Sequence, residues 1–213
     1  MIRLVIKLSL IWLIISGYSV NATSLYVAGP EVPLPVQIVE SQTRILMDEL
    51  TNRKKEFDND PQKLIYFARH VALSHWNLEK TSRLILGRHW KQADVSQVKR
   101  FEAEFLRTLM RYVVKAYGYY DDSLVEILSY DWQPKGTGGW VRSVVRLPAG
   151  VKVSVDYRMN LNQDKQWKMV DVRVEGISLV SSKRNEYGEE ISQNGIESLL
   201  KIMFEKNQRV LAS

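Results

Sequence analysis

The apolar residues of this chain change their spacing twice, and that change fixes most of what the chain can become. From residue 36 to residue 116 they recur every three or four positions, from 124 to 174 they alternate, and from 179 onward helical spacing returns. A helix brings a side chain back to the same face about every 3.6 residues, whereas a strand sends successive side chains to opposite sides. Helices, then strands, then helices predict an α+β fold in which helices pack on one face of a curved antiparallel sheet.

The helical half is marked by its stripes and its caps. Val36, Val39, Thr43, Leu46 and Leu50 form one stripe, and the segment around Arg53 to Glu56 is expected in water. Asp60-Pro61 stops one helix and starts the next, because proline at the first helical position gives up no hydrogen bond. Leu64, Phe67, Ala68 and Val71 carry that helix toward His75. Asn77 is placed to cap a helix containing Leu84, Ile85 and Leu86, and Asp94 with Gln97 three residues on is a capping-box variant. Behind it runs the strongest period in the chain: Val98, Phe101, Phe105, Leu109, Tyr112, Val113 and Ala116.

The strands follow. Residues 124–132 and 141–147 are apolar enough for strands around the loop Pro134 to Gly139. Val151, Val153, Val155, Tyr157 and Met159 then alternate with Lys152, Ser154, Asp156 and Arg158, and Val170, Val172 and Val174 with Asp171, Arg173 and Glu175. That is a meander of about four strands with one dry and one wet face. Ser181–Ser182 is expected to cap a helix carrying Tyr187 and Ile191, and Asn194 to cap a last helix bearing Ile196, Leu199, Leu200 and Met203.

Composition bounds the rest. The 213 residues, 45% hydrophobic and 25% charged, suit one globular domain. Arg3 and Lys7 precede an apolar run from residue 8 to 15, and Val20-Asn21-Ala22 offers small residues for cleavage. Residues 1–22 therefore read as an export signal, the run being shorter than the roughly 20 residues of a spanning helix. Residues 23–35, with three prolines, read as an arm, and 36–213 as one domain. Without cysteine, stability in an oxidising compartment must come from the core. After cleavage 28 basic residues face 24 acidic ones, a charge of +4 that suits anionic lipid or acidic proteins and, after export, fits nucleic acid poorly.

Catalytic and metal signals are weak. His70 and His75 stand five apart, off a common helix face, His89 is alone, and no metal site is expected. Gly176-Ile177-Ser178 begins like a nucleophile elbow but has Val180 where a second glycine is required, and Gly136-Thr137-Gly138-Gly139 joins strands rather than opening a helix. Period alone does not tell a filled core from a cavity wall.

One ordered pattern goes further. Trp167, the run from Asp171 to Val180, Lys183 to Gly188 and Gly195-Ile196, preceded by Leu84 to Lys91, Phe101, Phe105 and Ala116-Tyr117, resembles the MlaC/toluene-tolerance family of periplasmic phospholipid carriers. The resemblance implies an apolar pocket enclosed by sheet and helices, phospholipid as cargo with no cofactor, and no enzymatic activity. It also implies, for a monomer, shuttling between an outer-membrane lipoprotein–porin complex and an inner-membrane Mla-type ABC transporter in the maintenance of outer-membrane asymmetry. The expected lining is Leu84, Ile85, Leu109, Val113, Val153, Val155, Tyr157, Val172, Val174, Ile177 and Leu179, with Lys183 and Arg184 as exposed charges. Two rivals stay open: an exported interaction or chaperone module with a filled core, and a secreted serine hydrolase built from Ser178, Ser181 or Ser182 and a histidine.

Overall fold

The computed structural model describes residues 33–117, 124–132, 136–147 and 150–211. The export signal and residues 23–32 of the arm lie outside them. The order is α1 (Leu34–Asn52), α2 (Lys54–Asn59), α3 (Pro61–His75), α4 (Leu78–Leu86), a 3-10 segment (Gly87–Lys91), α5 (Val95–Tyr117), β1 (Leu124–Trp132), β2 (Gly138–Arg146), β3 (Lys152–Leu161), β4 (Trp167–Val174), β5 (Ile177–Ser178) and α6 (Leu179–Leu211).

Helix starts fall where the capping chemistry puts them. The Asp60 carboxylate accepts the Gln62 N–H at 3.1 Å, Asn77 Oδ1 accepts the Lys80 N–H at 2.9 Å, and Asp94 and Gln97 bond each other's backbone N–H at 2.8 and 3.0 Å. These bonds fill donors that the first turn of a helix leaves unpaired. Nothing in the spacing marks Phe57, yet α2 buries it beside Leu50 and Leu64, stacked on Phe67 with centroids 5.7 Å apart. The Arg53 guanidinium lies over both rings, 4.6 Å from the Phe57 centroid and 5.7 Å from that of Phe67.

The last two helices fall where the spacing expects them, but their caps differ. The run Leu179–Leu211 is two helices meeting at Gly195, whose φ of 81° and ψ of 166° are non-helical and suit only glycine. Asn194 is no cap: its amide donates to the Glu190 carboxylate at 3.1 Å. The helix also begins before Ser181–Ser182. Ser178 Oγ accepts the Ser181 N–H at 3.0 Å, and Asp171 reaches across from β4 to accept the Val180 N–H at 3.0 Å and the Ser178 hydroxyl at 2.6 Å. A carboxylate on the positive end of the helix dipole is the stronger partner.

The sheet is an antiparallel meander in the order β1-β2-β3-β4-β5, with register shifts in β1 and at Arg158/Met159 that bend it. It has five strands rather than four. The extra one, Ile177–Ser178, folds back on Arg173 and Val174 through Glu175-Gly176, both at positive φ (48° and 79°) as a two-residue hairpin turn requires. The polar face is not simply wet. Asp156 is 4% exposed and Asp171 2%, because Asp156 takes both Nε and Nη2 of Arg173 (2.9 and 2.6 Å) and Asp171 is covered by the start of α6. Arg173 in turn lies over Trp140, 4.3 Å from its centroid.

Buried apolar residues gather in separate clusters. The largest joins α3, α4, α5 and α6 around Phe101 and Phe105, both 0% exposed, with Tyr187 edge-on to Phe101 at 6.0 Å. Another sets Val36 and Val39 of α1 against Val141 and Met159 of the sheet.

Candidate functional site

Directly paired residues of an antiparallel sheet share a face, and alternate residues of one strand do so too. The register therefore assembles an apolar face in rows: Val125, Val145 and Val153; Val155, Val174 and Ile177; Val141, Tyr157 and Val172; Met159 and Met169; Leu161 and Trp167. Six of the eleven expected lining residues, Val153, Val155, Tyr157, Val172, Val174 and Ile177, come together here. The other five, Leu84, Ile85, Leu109, Val113 and Leu179, lie in or against the cluster between the helices.

The two ends of the sheet face differ. Val36, Val39 and Ile38 of α1 cover the end holding Val141, Met159, Trp167 and Met169, with Tyr157 at its border. Toward the other end Val153, Val155 and Val172 are half-buried, Val174 is 44% exposed and Ile177 68%. None of these five, nor Val125 and Val145, belongs to an apolar cluster among the described residues.

The polar groups of this face are matched locally. Ser143 donates its hydroxyl to the Val155 carbonyl. Burial pushes the Tyr157 phenol up to about 12, with Ser143 opposing, so it holds its proton at neutral pH. Such a wall has apolar area and few directional groups, which suits a ligand recognised by shape.

A groove of about 890 Å³ opens elsewhere, between α4, the 3-10 segment and the β3–β4 turn. Trp76, Trp90 and Leu84 contribute to its walls, and Lys80, Arg83, Lys91, Lys168 and Arg184 stand around it against Glu79 and Asp164. Its charge suits an anionic group better than hydrocarbon. Arg184 lies close over Gly87, where a Cβ would come within 3.0 Å of its guanidinium. Lys183, expected exposed, is mostly covered: its ammonium meets Glu186 at 2.5 Å and lies 5.2 Å from the Tyr187 ring centroid. Burial works against its charge, yet those neighbours raise it to about 12.

The serine–histidine geometry differs from the one expected. Ser178 is taken up at the start of α6, and among the described residues Ser192 faces a histidine ring, 3.5 Å from His89 Nε2. Ser192 donates to the Gly188 carbonyl at 2.6 Å, Arg88 donates to Ser192 at 2.9 Å and to His89 Nε2 at 3.3 Å, and Gln92 faces Nδ1. With Nε2 facing a guanidinium and Nδ1 an amide, this is not the relay of a base and an acid that activates a nucleophile. Among the described residues no group of three histidine or acidic side chains could hold a metal, and no helix is long and apolar enough to cross a membrane.

Comparison with known proteins gives a consistent result. Residues 40–205 match the model of the family described as "MlaC protein". The fold is similar to that of a phospholipid-binding protein from Ralstonia solanacearum solved in complex with a phospholipid. The TM-score is 0.76 at 22% identity, over 84% of this chain and 99% of that one.

Proposed function

The chain belongs to the MlaC family, and on that premise we propose that it is a periplasmic phospholipid carrier whose acyl chains lie against the valine face of the sheet. The observation that carries this reading is the pair of rows Val125–Val145–Val153 and Val155–Val174–Ile177, which join no packed cluster among the described residues. Valines in a protein of this size ordinarily close on one another. The fold shared with a protein that holds a phospholipid supports it further.

The energetics call for such a face. Each methylene kept from water is worth about 0.8 kcal/mol, so exposing two ordinary acyl chains costs on the order of 20 kcal/mol. Free lipid does not cross an aqueous compartment at that cost. A carrier offsets it with apolar surface alone, and tails without directional groups leave selection to volume.

In this reading residues 1–22 export the chain and are removed, and it works between the outer-membrane lipoprotein–porin complex and the inner-membrane Mla-type ABC transporter, helping to keep the outer membrane asymmetric. The cation-rich groove suits acidic surfaces on those partners.

Organic extraction of the purified protein followed by mass spectrometry tests the proposal. Phospholipid near one per chain is expected, lost in the double variant Val155→Asp/Val172→Asp while its far-ultraviolet circular dichroism is kept. A wild-type protein that yields no phospholipid after gentle purification overturns the proposal and favours the filled-core interaction module.

A further inference from the structure

We infer that the acyl chains enter over the turn end of the sheet, across a lip of Val151, Val174 and Ile177, and are stopped at the far end by Tyr157 and the α1 residues Val36 and Val39. This rests on the carrier reading above and adds a direction, a mouth and a depth to it.

The register places Val174 and Ile177 in the row of Val155, and Val151 lies four residues, about 13 Å, further out along the same alternation at the same end of the sheet. β3 begins where β4 ends, and Val174 pairs with Val155 on one side and Ile177 on the other. Val151 precedes β3 and closes the β2–β3 turn by accepting the Leu147 N–H at 2.8 Å. The three are 53%, 44% and 68% exposed. Single exposed apolar residues are ordinary, but three at one end of a continuous apolar face form a patch.

The exposure is held in place. The Glu175 N–H donates to the Ser154 carbonyl at 3.0 Å and the Ser154 N–H donates to the Glu175 carboxylate at 2.5 Å. Glu175 takes a left-handed φ of 48° that a glutamate rarely adopts, and Gly176 takes 79°. The hairpin so fixed holds Ile177 out in solvent.

The other end is shut. Val36 and Val39 are 6% and 2% exposed against Val141 and Met159, and Tyr157 shares the row of Val141, one row nearer the mouth than Met159. From Val151 to Tyr157 is six steps of β3 and its approach, about 20 Å at roughly 3.3 Å per residue, whereas Val174 and Ile177, level with Val155, flank that path two steps, about 7 Å, from Tyr157. One leaflet's share of a bilayer's hydrocarbon is about 15 Å. Measured from Val151, the face is long enough for tails of membrane phospholipids, with the headgroup left at the Val151 end and Val174 and Ile177 along its side.

The test uses full-length mature protein and vesicles of phosphatidylethanolamine and phosphatidylglycerol carrying a fluorescent phospholipid. Ile177→Asp with Val151→Asp is expected to slow lipid uptake about tenfold, because a charge now stands in the path of the tails. Val95→Asp, equally exposed on α5 and away from the sheet, is expected to leave the rate unchanged. Tyr157→Ala, and separately the milder Val39→Ala, are expected to shift the bound lipid toward chains longer by about two methylenes. Phospholipid in the wild type with an unaltered rate in the lip variant, or with unaltered chain lengths in both inner variants, overturns the inference and leaves the carrier reading standing. A wild type without phospholipid overturns the carrier reading itself.

Discussion

The helical layer and the sheet are both rich in apolar residues, and they use them differently. Between α3, α4, α5 and α6 those residues meet one another: Phe101 and Phe105 are fully buried with rings 6.1 Å apart, and Ile85 and Leu109 pack around them. On the sheet, α1 covers one end and the rows ending in Val174 and Ile177 join no cluster among the described residues. Four helices that each carry a stripe can close a core on themselves, whereas one helix is too narrow to cover five strands. An apolar stripe is therefore a demand for a partner. In one half of this protein another stripe meets the demand, and in the other the proposed partner is lipid.

The contrast can be broken by truncation. Phe101→Ala is expected to cost about 3–5 kcal/mol in urea denaturation, whereas Val155→Ala is expected to cost about 1 kcal/mol or less. Equal losses at the two positions would mean that the sheet face is packed like the helical core.

The joint between the halves is the next place to press. Asp171 bonds the Val180 N–H and the Ser178 hydroxyl, so Asp171→Ala leaves buried donors unpaired at the start of α6. A loss of about 2–3 kcal/mol is expected, with Asp171→Asn losing less. A loss below about 0.5 kcal/mol in the alanine variant would show that β4 and α6 are not coupled through this carboxylate.

The smallest effect is one of pH. His75 closes α3 next to Trp76, which bridges to Met169 of β4. Burial, then Lys168 and His70, hold it below its ordinary 6.5. The unfolded chain takes up that proton more readily, so the stability His75 contributes is complete above pH 6.5 and declines as the pH falls below it. Between pH 7.5 and 5.5 the melting temperature of the wild type is expected to drop about one degree further than that of His75→Gln. An equal drop in both would place the titration elsewhere.

Much of this fold was legible before any coordinates. The caps at Asn77 and Asp94–Gln97 and the bounds of α3 and β1 follow from local chemistry, which a sequence displays directly. Less visible was which apolar faces meet. Period fixed Ile85 and Val155 as apolar positions of a helix and a strand, but whether they share one cavity depends on contacts between residues 70 apart in the chain. The polar alternation misled for the same reason: Asp156 and Asp171 sit at strand positions that read as wet, and are buried because Arg173 and the start of α6 come to them from elsewhere. β5 escaped notice because two residues carry no period, and Phe57 because its cover comes from Phe67 and Tyr117 in other helices.

The most direct test of where the lipid lies is paramagnetic broadening. The mature protein, labelled with ¹³C at its valine, leucine and isoleucine methyls, would be loaded with a phospholipid bearing a nitroxide midway along one acyl chain. Broadening of Val153, Val155 and Val172, with Ile85 and Leu109 left sharp, is the expected result. Broadening confined to Ile85 and Leu109, or none at all in protein shown to hold the lipid, would contradict a tail site on the sheet.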